Sequence, residues 1–105
     1  MLRTVSTACV EEACHNDSRI ARWLEVSPAG VFISCDFSSP LSKYGNRGYR
    51  FGLMEAGAAM QNVYLYAAER GLATRAIGGF NDPMITDLLG LNGGLARPLL
   101  LILIG

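Results

Sequence analysis

Residues Tyr49 to Leu72 read YRFGLMEAGAAMQNVYLYAAERGL and fall within the longest proline-free run of the chain. Leu53, Ala56, Gly57, Met60, Val63, Tyr64, Ala67 and Ala68 recur at the i, i+3, i+4, i+7 spacing of one helical face. Tyr49, Phe51, Leu65 and Tyr66 add apolar surface off that stripe, so a helix over 49–72 is expected to be covered on more than one side. Its middle is lined with small residues, Gly52, Ala56, Gly57, Ala58 and Ala59. A glycine inside a helix costs ~0.5–1 kcal/mol relative to alanine. Two of them point to close approach by another helix, another chain or a flat ligand; the plain alternative is a buried core helix. Gly71, after Glu69 and Arg70, supplies a C-terminal stop.

Outward from this helix, the composition bounds what the chain does. The 105 residues amount to one small domain at most. Half are hydrophobic and 17% are charged, enough apolar matter for a core and, in so short a chain, a sign of apolar surface meant for a partner. Nine basic residues balance nine acidic ones. No basic stripe favours nucleic acid as a partner. Cys9, Cys14 and Cys35 are odd in number and form no CxxC pair. With His15 the lone histidine, neither a disulfide framework nor a metal site is expected, and the thiols read as reduced, mostly buried packing. The N-terminus carries Glu11 and Glu12 and lacks the apolar stretch of a signal peptide. The apolar tail Leu99 to Ile104 is far below the ~20 residues a membrane span needs. A soluble, cytoplasmic protein follows as the expectation.

In chain order, Met1 to His15 has no firm pattern. Asn16-Asp17-Ser18 offers capping chemistry before Arg19 to Glu25, where Ile20, Trp23 and Leu24 have helical spacing and Trp23 reads as a core anchor. Val31 to Cys35 reads as a strand. Asp36 to Gly48, rich in Ser, Pro, Gly and Asn, reads as a loop suited to function. Ala73 to Ile77 is a second strand, ended by Gly78-Gly79-Phe80. Asn81 or Asp82 caps a short helix with Pro83 in its first turn, running to about Leu89. Pro98 opens a last strand, Leu99 to Ile104, apolar at every position as in a strand buried on both faces. The expected fold is α+β: a small sheet with one dominant helix.

A string of motifs now becomes specific: KYG at Lys43, GYR at Gly48, E-x-G at Glu55, Gln61-Asn62, L-x-A-A at Leu65, G-L at Gly71, G-G-F at Gly78 and LLGL at Leu88. In this order and spacing, Lys43 to Gly105 resembles the C-terminal half of nitroreductase-superfamily flavoproteins. The likeness is to the SagB-type branch, the thiazole- and oxazole-forming peptide dehydrogenases. The resemblance implies a partial FMN-dependent fold, residues 1–105 forming one truncated domain, with the long helix at a homodimer interface and flavin between subunits. It implies that Gly78 and Gly79 present main chain to the flavin edge; by themselves the two glycines also fit a strand-ending turn. It implies that Lys43 and Tyr44 are the catalytic pair: flavin takes a hydride from an azoline ring in a modified peptide while a base takes the proton. A lysine serves as a base only when its pKa falls from ~10.4 toward neutrality. An exposed Lys and a packed Tyr is the structural alternative. Glu55 and Gln61 are polar groups near flavin or interhelical hydrogen-bond partners, and Arg50 serves an anion or the fold.

The sequence also departs from the family. Superfamily enzymes run near twice this length and carry an Arg/Ser-rich N-terminal segment that grips the FMN phosphate. Nothing in Met1 to His15 resembles it, Arg3-Thr4 included. The branch often has His where this chain has Ala58. An ungripped phosphate is costly to bury. Three readings stand: a short or split flavin enzyme completed by a partner chain, a non-catalytic dimerising subunit without the phosphate site, and a fragment whose apolar faces self-associate.

Overall fold

A computed structural model describes residues 6–105. Arg3 and Thr4 lie outside the described residues. The elements run α1 (Thr7–Ala13), α2 (Ser18–Val26), β1 (Ala29–Asp36), α3 (Ser38–Tyr44), α4 (Arg47–Glu69), β2 (Thr74–Ile77), α5 (Asp82–Leu88) and β3 (Ala96–Ile104).

The three strands form one sheet in the order β1-β3-β2, with both outer strands antiparallel to β3. The last strand in sequence is therefore the central one. This explains its run of apolar residues: Leu101, Ile102 and Leu103 are all buried, although successive side chains point to opposite faces. Pro98 lies inside β3, where a strand from Leu99 was expected. It is buried opposite Ser34, next to the register shift between Ile33 and Ser34. A residue without an N–H fits a break in the ladder.

Leu101 and Leu103 face a core with Val10, Ala13, Ile20, Ile77 and Ile85, drawn from α1, α2, β2 and α5, joined by Cys14 just after α1 and Phe80 just before α5. Helix α1 has no forecast in the sequence, yet its Val10 and Ala13 are buried in this core. Trp23 is half-buried against the same core rather than anchoring it. Its outer face carries the Arg75 guanidinium, 4.2 Å from the ring centroid. Helix α2 starts as expected: the Asp17 carboxylate accepts from the Arg19 N–H at 2.8 Å. Asn81 caps α5 by accepting from the Met84 N–H at 3.1 Å.

Helix α4 contacts β1 and β3. It begins two residues before the expected start and closes at Gly71 (φ 69). There the Leu72 N–H donates to the Ala67 carbonyl and the Gly71 N–H to that of Ala68, the paired bonds of a glycine-terminated helix end. Coverage on several sides does not occur among the described residues. Only Gly48, Gly52, Ala56 and Ala67 of α4 are buried, while Leu53, Met54, Leu65 and Tyr66 are exposed. The reason is that one three-stranded sheet offers one surface, and α4 presents apolar residues around most of its circumference. All three cysteines are free, but only Cys14 is buried; Cys9 is exposed and Cys35 half-buried. Burial pushes the Cys14 and Cys35 thiols up from their ordinary values.

Candidate functional site

Because β1 and β2 both run against β3, they are parallel to each other on opposite sides of it, but β1 runs on to Asp36 opposite Ala96 while β2 stops at Ile77 opposite Leu101, midway along β3. Lys43 and Tyr44 follow β1; Gly78 and Gly79 follow β2. The segments that carry the two pairs therefore leave the sheet on opposite sides of β3 and at different points along it. No hydrogen bond, ion pair or ring contact joins the two pairs among the described residues.

The segment Asp36–Gly48 is not a loop. The Asp36 carboxylate accepts from the Ser38 hydroxyl at 2.7 Å and from its N–H at 3.0 Å, which starts α3 and holds the carboxyl below its usual range. Pro40 sits in the first turn, where a missing N–H costs nothing. Gly45, at φ 62, ends the helix after about two turns. Lys43 and Tyr44 thus occupy the last turn of a short helix. Ser, Pro and Asn composition signals a loop, but Asp36 followed by Ser38, Ser39 and Pro40 is also a helix-start pattern.

Two glycines of α4 set how closely this corner packs. A Cβ on Gly48 would lie 2.2 Å from the Pro40 carbonyl oxygen, and one on Gly52 would lie 2.6 Å from Phe37 Cε1 and 2.9 Å from Cys35 Sγ. The close approach read from Gly52 is therefore made by the chain's own β1–α3 segment. Gly57 has nothing within 4 Å of its Cβ position, so the other half of the small-residue strip is open. Glu55 and Gln61 are both exposed, and Glu55 is near enough to Cys35 to help raise its pKa.

Lys43 is exposed, with Nζ 5.2 Å from the Tyr44 ring centroid. Tyr44 is 47% exposed and meets Phe51 edge to face, centroids 5.1 Å apart. Arg50 lies over the other ring, its guanidinium carbon 5.7 Å from the Phe51 centroid. Lys43 and Tyr44 are thus both exposed, and both lie on a helix. Phe51 was assigned no role in the sequence; its seven-residue separation from Tyr44 gives no signal until α3 and the turn after it are known.

The main chain at Gly78 and Gly79 is exposed and unobstructed. A Cβ on Gly78 would meet only Leu100 Cδ2, at 3.7 Å, and one on Gly79 nothing within 4 Å. A flat ring could lie along such a backbone, so these residues fit the flavin edge. The phosphate end does not fit: among the described residues no cationic side chain is buried. The same residues hold no cluster of three or more metal-ligating side chains, and no helix is long and apolar enough to cross a membrane.

Comparison with known proteins agrees with this architecture. The chain is 35% identical over 83 residues to MJ1384 of Methanocaldococcus jannaschii, a candidate nitroreductase, covering 79% of this chain and 40% of that protein. It is 38% identical over 64 residues to the microcin B17-processing protein McbC of Escherichia coli, covering 61% of this chain and 24% of McbC. Among solved structures, the E. coli microcin synthetase McbBCD complex with truncated pro-MccB17 bound matches with a TM-score of 0.68 at 33% identity, covering 72% of this chain and 29% of that one. A candidate nitroreductase from Ralstonia eutropha matches at 0.64 and 25% identity, covering 72% and 36%. The chain spans well under half the length of each of these relatives. The nitroreductase family profile matches residues 5–105, and the chain belongs to the nitroreductase family.

Proposed function

We propose that this chain is one nitroreductase-like unit of a SagB-type, FMN-dependent dehydrogenase. Its substrates are thiazoline or oxazoline rings in a ribosomally made peptide, which it oxidises to azoles in the cytoplasm. The observation that carries the reading is the 38% identity to McbC over 64 residues. FMN, when bound, supplies a two-electron acceptor for the ring hydride. Lys43, in its neutral form, accepts the proton that leaves the ring, and Tyr44 beside it steadies that transfer. Gly78 and Gly79 hold the flavin edge by main chain. A second chain, a copy or a complementary subunit, lies on the exposed face of α4 around Gly57, Met54 and Leu65 and contributes the phosphate ligands. A single flexible amine exposed to water gains orientation from such a cover.

The test is turnover of a synthetic thiazoline peptide by the FMN-loaded protein. Lys43→Ala is expected to abolish azole formation and leave the flavin absorbance near ~450 nm in place; unchanged turnover would remove Lys43 from the mechanism. The lack of a buried cation among the described residues favours a second reading, a non-catalytic dimerising or partner subunit. A colourless dimer that binds no added FMN at micromolar concentration would establish that reading in place of the first.

A further inference from the structure

A groove of about 160 Å³ opens at the Ile104 end of the sheet, between the end of α2 and the start of β2. Leu103 is its buried lining residue, and Trp23 and Val26 of α2 and Arg75 of β2 stand around it. Arg75 and Leu103 are cross-strand partners, so their side chains rise from the same face of the sheet. The Arg75 guanidinium comes to rest 4.2 Å from the Trp23 ring centroid, which holds a long side chain in one place. A ring is no substitute for an oxygen acceptor, and Arg75 takes part in no ion pair or side-chain hydrogen bond among the described residues. Gly105 does not compete for it, since its N–H and carbonyl are both bonded to Ala73, at 3.0 and 2.8 Å. Beside this cation Val26 is 71% exposed, an apolar wall with nothing over it.

We propose that this groove binds a small monocarboxylate whose apolar body is the size of one ring. A cavity on the order of 150 Å³ admits a body of that size. The body packs on Trp23, Val26 and Leu103, and the carboxylate takes paired N–H bonds from the Arg75 fork. Arg75 is the one charged side chain that lines the groove among the described residues. One negative charge therefore balances it, whereas the second charge of a phosphate monoester meets no partner. The groove is separate from the Lys43–Tyr44 corner, and its ligand is independent of any flavin.

Trp23 is the only tryptophan of the chain, so its indole N–H gives a single side-chain peak in a nitrogen–proton correlation spectrum. Titration of the whole chain with benzoate is expected to move that peak to saturation. Benzyl alcohol, which keeps the ring without the charge, and acetate, which keeps the charge without the ring, are each expected to bind at least about ten-fold more weakly. Arg75→Gln is expected to bring benzoate down to the level of benzyl alcohol and to leave benzyl alcohol unchanged. An indole peak that ignores benzoate, or benzyl alcohol that matches it, would overturn the proposal. Acetate that matches benzoate would overturn it too, leaving a bare anion contact on a surface arginine. A preference for benzoate that survives in Arg75→Gln would take the carboxylate away from that residue. The comparison of the three ligands on the wild type needs no variant to fold.

Discussion

Gly48 of α4 lies directly beneath the Pro40 carbonyl of α3, so close that a Cβ at residue 48 would stand 2.2 Å from that oxygen. No side-chain movement relieves such a clash, because the atoms it meets, Pro40 O and C and Leu41 N, are all backbone. Gly48→Ala should therefore push α3 off α4 and cost at least about 1–3 kcal/mol, the usual overpacking range. Thermal melting followed by circular dichroism measures it. A melt unchanged from wild type would show that α3 does not pack as described.

Gly57 invites the opposite experiment. Its Cβ position is empty within the chain, so Gly57→Ala removes a helix-weakening residue and should stabilise the protomer by ~0.5–1 kcal/mol. If a second chain seats on α4 there, the same methyl group should weaken self-association. A melt at low concentration and sedimentation across a dilution series give the two signs. Self-association that ignores the substitution would move the interface elsewhere.

Asn81 caps α5 through the Met84 N–H, and Ile85, fully buried, follows one turn later. Asn81→Ala should cost about 1 kcal/mol and lower Tm by about 4–8 °C. Asn81→Asp, which caps as well, should recover most of the loss in a calorimetric scan.

Asp17 supplies a pH signature. Hydrogen bonds from the Arg19 side chain and backbone hold its carboxyl down to about 2. A depressed carboxyl stabilises the fold above its unfolded value and loses that contribution as pH falls through the folded one, here from ~3.9 to about 2. Asp17→Asn keeps a capping oxygen without the charge. Melts of the variant should show a smaller change than wild type across that window. Added salt should shrink the difference, because Arg19 and Asp17 meet at the surface.

The strands, the two capped helices and the Gly71 stop were legible because each rests on local chemistry: β-branched runs, an Asn or Asp at a helix start, a glycine past its end. Helix α3 was not, since Ser38, Ser39 and Pro40 serve a loop and a first helical turn equally well. Nor was α1, whose Thr7–Ala13 stretch has only Val10 and Ala13 to bury. The small residues of α4 announced close packing but not by what: Gly52 meets Phe37 and Gly57 meets nothing. Both candidate pairs were visible as motifs. Where each leaves the sheet, one after the strand end opposite Ala96 and the other after the strand end opposite Leu101, required the strand order and register, which no local pattern encodes, and the Tyr44–Phe51 contact required the turn at Gly45.

The half-buried thiol under α4 turns the docking of that helix into a rate. Cys35 Sγ lies in the notch that Gly52 leaves open, and its surroundings disfavour the thiolate that alkylating reagents need. Labelling at Cys35 therefore reads how often α4 lifts from the sheet, with exposed Cys9 as the fast internal reference and Cys14 as the slow one. A timed iodoacetamide quench resolved by peptide mass would act as a chemical stopwatch for the helix on which the whole fold leans.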